Sequence, residues 1–199
     1  MVVDSVAAAV AALQGDDGDA KRQGLEFLWS QSLGYGGFSD SDLVRIRERG
    51  GIPPLLALLE SGGWQETCDA LQVLLRLARD DAESKVAIRE AGGIPPLLKL
   101  VKSGSSRSKR EGAARALRAL ASDNDDNAVA IALARGSVEA FVQLARRGRV
   151  VVCAEFFVEN AGAAAKRKAA LVVAALLRDF YKLAGRIPRY ARPIIESYL

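Results

Sequence analysis

Apolar residues recur along this chain at intervals of three and four. Leu71, Leu74, Leu75 and Ala78 are one such set, and that spacing predicts an amphipathic helix with one buried side. No stretch alternates cleanly enough to predict an extended sheet. Helices are therefore expected nearly throughout, and what organises the chain is where they stop.

The stops are written twice in the same words. "GGIPPLLALL" (50–59) and "GGIPPLLKLV" (92–101) stand 42 positions apart. The short apolar run ending at Arg89 and Glu90 needs a residue tolerant of positive φ to end it, and Gly92 or Gly93 supplies one. Pro95 and Pro96 then fall in the first turn of the next helix, where a missing N–H costs nothing. The phrase thus predicts a sharp corner between two helices. After it, each copy continues through a Gly/Ser-rich turn, a longer amphipathic run, an acidic turn and a short run. Val86-Ala87-Ile88 and Val129-Ala130-Ile131 hold matching places in that short run.

Fainter copies flank the clear ones. Gly136-Ser137-Val138 stands for Gly-Gly-Ile, and Val6 to Leu13 matches Ile52 to Leu59, with Asp4-Ser5 as an N-cap in place of the glycines. Leu25 to Ser32 likewise matches Leu71 to Ala78. The expected organisation is one array over residues 1–199, with repeats near 4–49, 50–91, 92–135 and 136–184. A tail, 185–199, is expected to cap its last long helix. Two stretches depart from the unit. "GYGGF" (34–38) lengthens a loop, and the β-branched insertion 148–165 is compatible with a short strand, an extra helical turn or a docked loop.

Half of the 199 residues are hydrophobic, enough for a core in one array. The net charge of +4 permits anionic partners without requiring them. Ala169 to Leu177, the strongest uncharged apolar run, falls well short of the about 18 residues of a membrane span. Residues 2–13 lack the basic start of a secretory signal. Cys68 and Cys153 form no spaced framework, which fits a reducing, intracellular setting, cytoplasmic or nuclear.

A unit of this length, with a Gly-Gly-Ile-Pro corner and a long helix ending in "LRALASDNDDN", resembles the armadillo repeat. The resemblance implies an all-α fold: a right-handed α-solenoid, or superhelix, of about four three-helix repeats whose concave face is lined by the long third helices. Each unit leaves an apolar face that only a neighbour covers. Members of the importin-α type grip extended peptides through a ladder of asparagines, each with a tryptophan one turn before it. The asparagine places here hold Ser30, Arg76, Ala119 and Leu176, and the tryptophan places hold Glu26, Gln72, Arg115 and Val172. No position matches, so nuclear-signal transport by that ladder is not expected. Trp29 and Trp64 lie elsewhere and are expected to be packing aromatics near a unit junction.

No chemistry stands out. The chain has no histidine, which excludes His-dependent triads and His-bearing metal sites. Neither cysteine has a sequence partner that would mark a nucleophile. "GYGG" lacks the strand and the Lys-Ser/Thr of a phosphate loop, and "DDAE" (80–83) and "DNDD" (123–126) lack EF-hand spacing. No catalytic residue, cofactor or metal is expected, and hence no enzyme.

The expected function is a non-catalytic protein–protein interaction scaffold, with a protein or peptide partner held along the concave face. Glu26, Ser30, Gln72, Arg76, Arg115 and Asp123 are its candidate contacts. The alternative is polyanion association, with nucleic acid or phospholipid, through a basic edge of Arg107, Lys109, Arg110, Arg146, Arg147, Arg149, Arg167 and Lys168. A further alternative is a structural piece of a larger assembly, self-associating through its end repeats.

Overall fold

The computed structural model describes residues 5–33, 37–137 and 140. Among them it contains nine helices and no strand. The chain divides into two compact units, Met1–Leu120 and Ala121–Leu199. In the first lie α1 (Val6–Gln14), α2 (Gly18–Leu33), α3 (Asp40–Glu48), α4 (Ile52–Ser61), α5 (Trp64–Asp80), α6 (Ala82–Glu90) and α7 (Ile94–Ser103). Helix α8 (Arg107–Ala121) completes it, and α9 (Asp125–Leu133) belongs to the second. The insertion 148–165, the tail 185–199 and nearly all of the repeat expected at 136–184 lie outside the described residues.

Each glycine pair divides its labour. Gly50 and Gly92 take φ of 69° and 76°, the left-handed conformation that ends α3 and α6. The N–H groups of Gly50 and Gly51 donate to Arg47 O (3.0 Å) and Ile46 O (2.8 Å). Those of Gly92 and Gly93 donate to Arg89 O (2.9 Å) and Ile88 O (2.8 Å) in the same Schellman pattern. The second glycine of each pair answers a lack of space. A Cβ on Gly51 would stand 2.9 Å from Ile46 O and 3.1 Å from Val10 Cγ2. On Gly93 it would stand 2.7 Å from Ile88 Cγ2 and 3.1 Å from Leu56 Cδ2. Gly136, in the fainter copy, also takes positive φ, 89°.

Side-chain caps start four of the helices that have no proline start. Ser5 accepts from Ala8 N–H at α1, and Ser39 forms a capping box with Asp42 at α3. Asp81 accepts from the N–H groups of Glu83 and Ser84 at α6, and Asn124 from Asn127 N–H at α9.

Like helices pack on like in the first unit. Helix α2 lies on α5, α3 on α6, and α4 contacts both α1 and α7. Helix α8 approaches α5 where a Cβ on Gly112 would meet Leu71 Cδ1 at 3.2 Å. The buried stripe of the long helices holds Leu28, Leu71, Leu74, Leu77 and Leu117, each at most 2% exposed. Truncating one such leucine to alanine costs roughly 2–5 kcal/mol, because the space closes only partly. Arg47 ties the short row together, pairing with Asp81 and, at 2.5 Å, with Glu83.

Candidate functional site

Burying one stripe of each long helix leaves the remaining faces of α2 and α5 to line a cavity of about 510 Å³. From α2 come Arg22, Leu25, Glu26 and Trp29; from the start of α5 come Gly63, Trp64, Gln65, Glu66 and Asp69. Trp64 is the first residue of α5 and is 54% exposed. Its neighbour Glu66 is fixed by the helix end itself, since its Oε2 accepts from Gly63 N–H at 2.6 Å. Three carboxylates thus face one guanidinium, and Arg22 is already held by Asp19 at 3.4 Å.

Asp69 is the most enclosed of the three carboxylates, at 9% exposure. Its Oδ1 accepts from Gln65 Nε2 at 2.8 Å, while Oδ2 has no hydrogen bond among the described residues. Burial pushes its carboxyl above the usual aspartate range, against the Gln65 hydrogen bond, and repulsion from Glu26 and Glu66 adds to the rise. Glu26 itself has neither ion pair nor hydrogen bond among the described residues.

The face expected from the sequence divides on inspection. Glu26, Ser30 and Arg115 are exposed and Gln72 is half-buried. Ser30 donates back to Phe27 O at 2.7 Å. Arg76 is a structural side chain: its Nε pairs with Asp80 at 2.5 Å, and its guanidinium lies so close to Gly37 that a Cβ there would overlap it. Asp123 sits in the turn after α8 at φ 52°, accepting from Ser122 Oγ at 3.1 Å. Only Glu26 of these six lines the pocket.

The described part of the basic edge is largely turned to internal work. Lys109 Nζ donates to Thr67 Oγ1 at 3.1 Å and to Gly63 O at 3.4 Å, strapping α8 to the start of α5. Arg110 Nη1 donates to Gly104 O at 2.7 Å. Arg107 is exposed and paired with Glu111 at 2.6 Å. Arg146, Arg147, Arg149, Arg167 and Lys168 lie outside the described residues. Cys68, inside α5, has its thiol pushed up by burial, which Lys109 only partly offsets, so it lacks the thiolate character of a nucleophile.

Trp64 departs from the sequence reading, because a packing aromatic would not stand half in solvent. The signal that would have found it is positional. A tryptophan next to a Gly-Gly turn occupies the first helical residue, where no preceding turn covers the ring.

Comparison with known proteins agrees with this architecture. Residues 81–122 match the family model described as Armadillo/beta-catenin-like repeat. That match runs from α6 through α8, so the family's own frame is short, medium, long, with α2, α5 and α8 as its third helices. No curated protein matches the chain in sequence. Among solved structures, an engineered protein from a structural genomics consortium superposes with a TM-score of 0.61 at 26% identity. It covers 90% of this chain, and the chain spans 40% of its length. A designed armadillo repeat protein in complex with the peptide (KR)4 has a TM-score of 0.56 at 15% identity, covering 98% of each chain. Computationally designed armadillo repeat proteins for modular peptide recognition give 0.54 at 15% identity, again covering 98% of each. The doubled corner, the rows of like helices and these likenesses converge on an all-α solenoid, in which residues 81–122 are similar to an armadillo repeat.

Proposed function

We propose that this chain is a non-catalytic scaffold that binds an extended protein or peptide segment along the faces of α2, α5 and α8 left free by the core. The observation that carries the reading is the pocket between α2 and α5, where two tryptophans and three carboxylates line a solvent-open cavity on the long-helix row. A core does not need such a set, since exposed aromatic area next to charge is costly unless something covers it. The armadillo-type neighbours that bind or were designed to recognise peptides support the same reading. No described helix is long and apolar enough to cross a membrane, and the free, half-buried Cys68 suits a reducing intracellular setting. Polyanion binding through the basic edge is the weaker reading, because Lys109 and Arg110 are engaged within the protein.

The test is a displayed library of unstructured peptides, selected on the wild-type chain and on a Glu26→Lys, Arg115→Glu variant. Both positions are exposed, so the variant should keep its helical circular dichroism and melting point. Peptides retained by the wild type should be lost. Equal retention by the folded variant would exclude this face.

A further inference from the structure

We propose that the Asp17–Gly18 peptide bond is a self-modification site, where the aspartate converts spontaneously to isoaspartate and uncaps α2. The chain has one Asp-Gly pair and no Asn-Gly pair, and every other aspartate and asparagine precedes a residue with a Cβ. The reaction is an attack by the next residue's backbone nitrogen on the side-chain carboxyl carbon, and a Cβ on that next residue crowds the approach. Gly18 has none. Its surroundings are open as well, since a Cβ added there would meet no neighbouring element within 4 Å among the described residues. In the first step the Gly18 N–Asp17 Cγ bond forms and a Cγ–O bond breaks. That oxygen leaves as water, taking the amide proton and one proton from solvent. Water then opens the ring at the former peptide carbonyl, so the main chain runs on through Cγ and the α-carboxylate is left free.

The fold permits this reaction and gives it a consequence. Residues 14–19, which join α1 to α2, are exposed. Asp17 Oδ1 accepts from Asp19 N–H at 2.9 Å and from Ala20 N–H at 3.4 Å, so this carboxylate caps α2. Ring closure needs the cap released, and the first turns of α2 are lightly held. The helix is locked to α1 only from Gly24 on, where a Cβ would stand 2.7 Å from Ala9 O. Ahead of that lock Asp19, Arg22 and Gln23 are exposed and Ala20 and Lys21 half-buried, and an end so placed opens at little cost. In the product the free carboxylate sits directly on Cα and the backbone is one atom longer. The N–H groups of Asp19 and Ala20 then lose their acceptor, and the helix start stays open up to Gly24. This holds whatever the long-helix face binds.

The chain is aged for several weeks in warm neutral buffer, beside Gly18→Ala and Asp17→Ser variants checked for fold by circular dichroism. Isoaspartate is located by peptide mapping with isoaspartyl methyltransferase labelling, and opening of the helix start is read as the rate of native tryptic cleavage after Lys21 and Arg22. The wild type should accumulate isoaspartate at position 17 at least fivefold faster than at any other position. Gly18→Ala should slow that accumulation at least fivefold, and Asp17→Ser, which keeps a capping oxygen, should abolish it. The isomerised chain should be cut after Lys21 and Arg22 at least threefold faster than the fresh one. No isoaspartate at position 17, an equal yield at other aspartates, or an unchanged rate in Gly18→Ala overturns the site. Isoaspartate at position 17 with unchanged tryptic cleavage overturns the uncapping.

Discussion

The α2/α5 step and the α5/α8 step share one backbone plan and differ in nearly every side chain that faces outward. In both, a long helix follows a glycine- or serine-containing turn and buries an apolar stripe, rich in leucine in α5 and in alanine in α8. At the first step the helix begins with an exposed tryptophan and carries two acids in its first two turns. At the second it begins with Arg107, and Lys109 reaches across to close the junction. The difference teaches where a repeat is free to vary. Positions that meet a neighbour's backbone are held by sterics, whereas the helix starts facing outward can be opened for a ligand or strapped shut.

What the repeats share should fail alike. Gly51→Ala and Gly93→Ala each place a Cβ within 3 Å of the preceding helix's backbone carbonyl. Each should cost about 2–3 kcal/mol, the upper range for overpacking, and lower the melting point by a similar amount. A large difference between the two in urea denaturation would break the equivalence of the corners.

What differs should fail differently. Lys109→Met removes two hydrogen bonds from a charged donor while keeping most of the side chain's bulk, and should cost about 1–2 kcal/mol. Trp64→Ala, at a half-exposed ring, should cost no more than about 0.5 kcal/mol and yet reduce retention of the peptides selected on the wild-type chain. Paired denaturation curves decide the matter: a Trp64→Ala loss as large as that of Lys109→Met would make the tryptophan structural after all.

Two aspartates should respond to pH with opposite signs. Burial alone would raise Asp81, but the Ser84 hydroxyl, Arg47 and the N–H groups of Glu83 and Ser84 outweigh it and hold its carboxyl below the usual range. Its stabilisation is thus present above the unfolded aspartate value and is lost as pH falls through the lowered folded value. Asp69 is raised, so folding disfavours its ionised form, and its penalty grows as pH rises through the folded value toward neutral. Asp81→Asn keeps an N-cap, as Asn124 does at α9, and should lose about 1 kcal/mol at pH 7 but little below pH 3. Asp69→Asn should gain less than about 1 kcal/mol at pH 7, since the open pocket screens the charge. Thermal melts from pH 3 to 7 check both slopes, and a destabilised Asp69→Asn at neutral pH would reverse the reading of its burial.

The smallest effect is expected at the basic edge. A labelled oligonucleotide titrated at roughly 50 and 200 mM salt should bind weakly and lose most of its affinity at the higher concentration, as counterion release requires. Tight binding that persists would rank that edge above the long-helix face.

Most of the helical plan was legible in the sequence. The three-and-four spacing, the Gly-Gly-Ile-Pro-Pro corners and the cap at Ser5 are local signals, because a helix end needs its partner within a few residues. Sequence pattern also excluded the asparagine ladder at Ser30, Arg76 and Ala119. Only the tertiary structure could divide the tasks of Gly92 and Gly93, since one answers a dihedral angle and the other the position of Leu56 on α4. It also turned Lys109 and Arg110 inward, put Arg76 against Gly37, and set Trp29 and Trp64, 35 residues apart in the chain, on the walls of one pocket. Helix period places a residue on its own helix, but a pocket belongs to two helices at once. Which side chains meet across it follows from how α2 and α5 pack, and that packing is set by the leucines on their opposite faces rather than by the residues that line it.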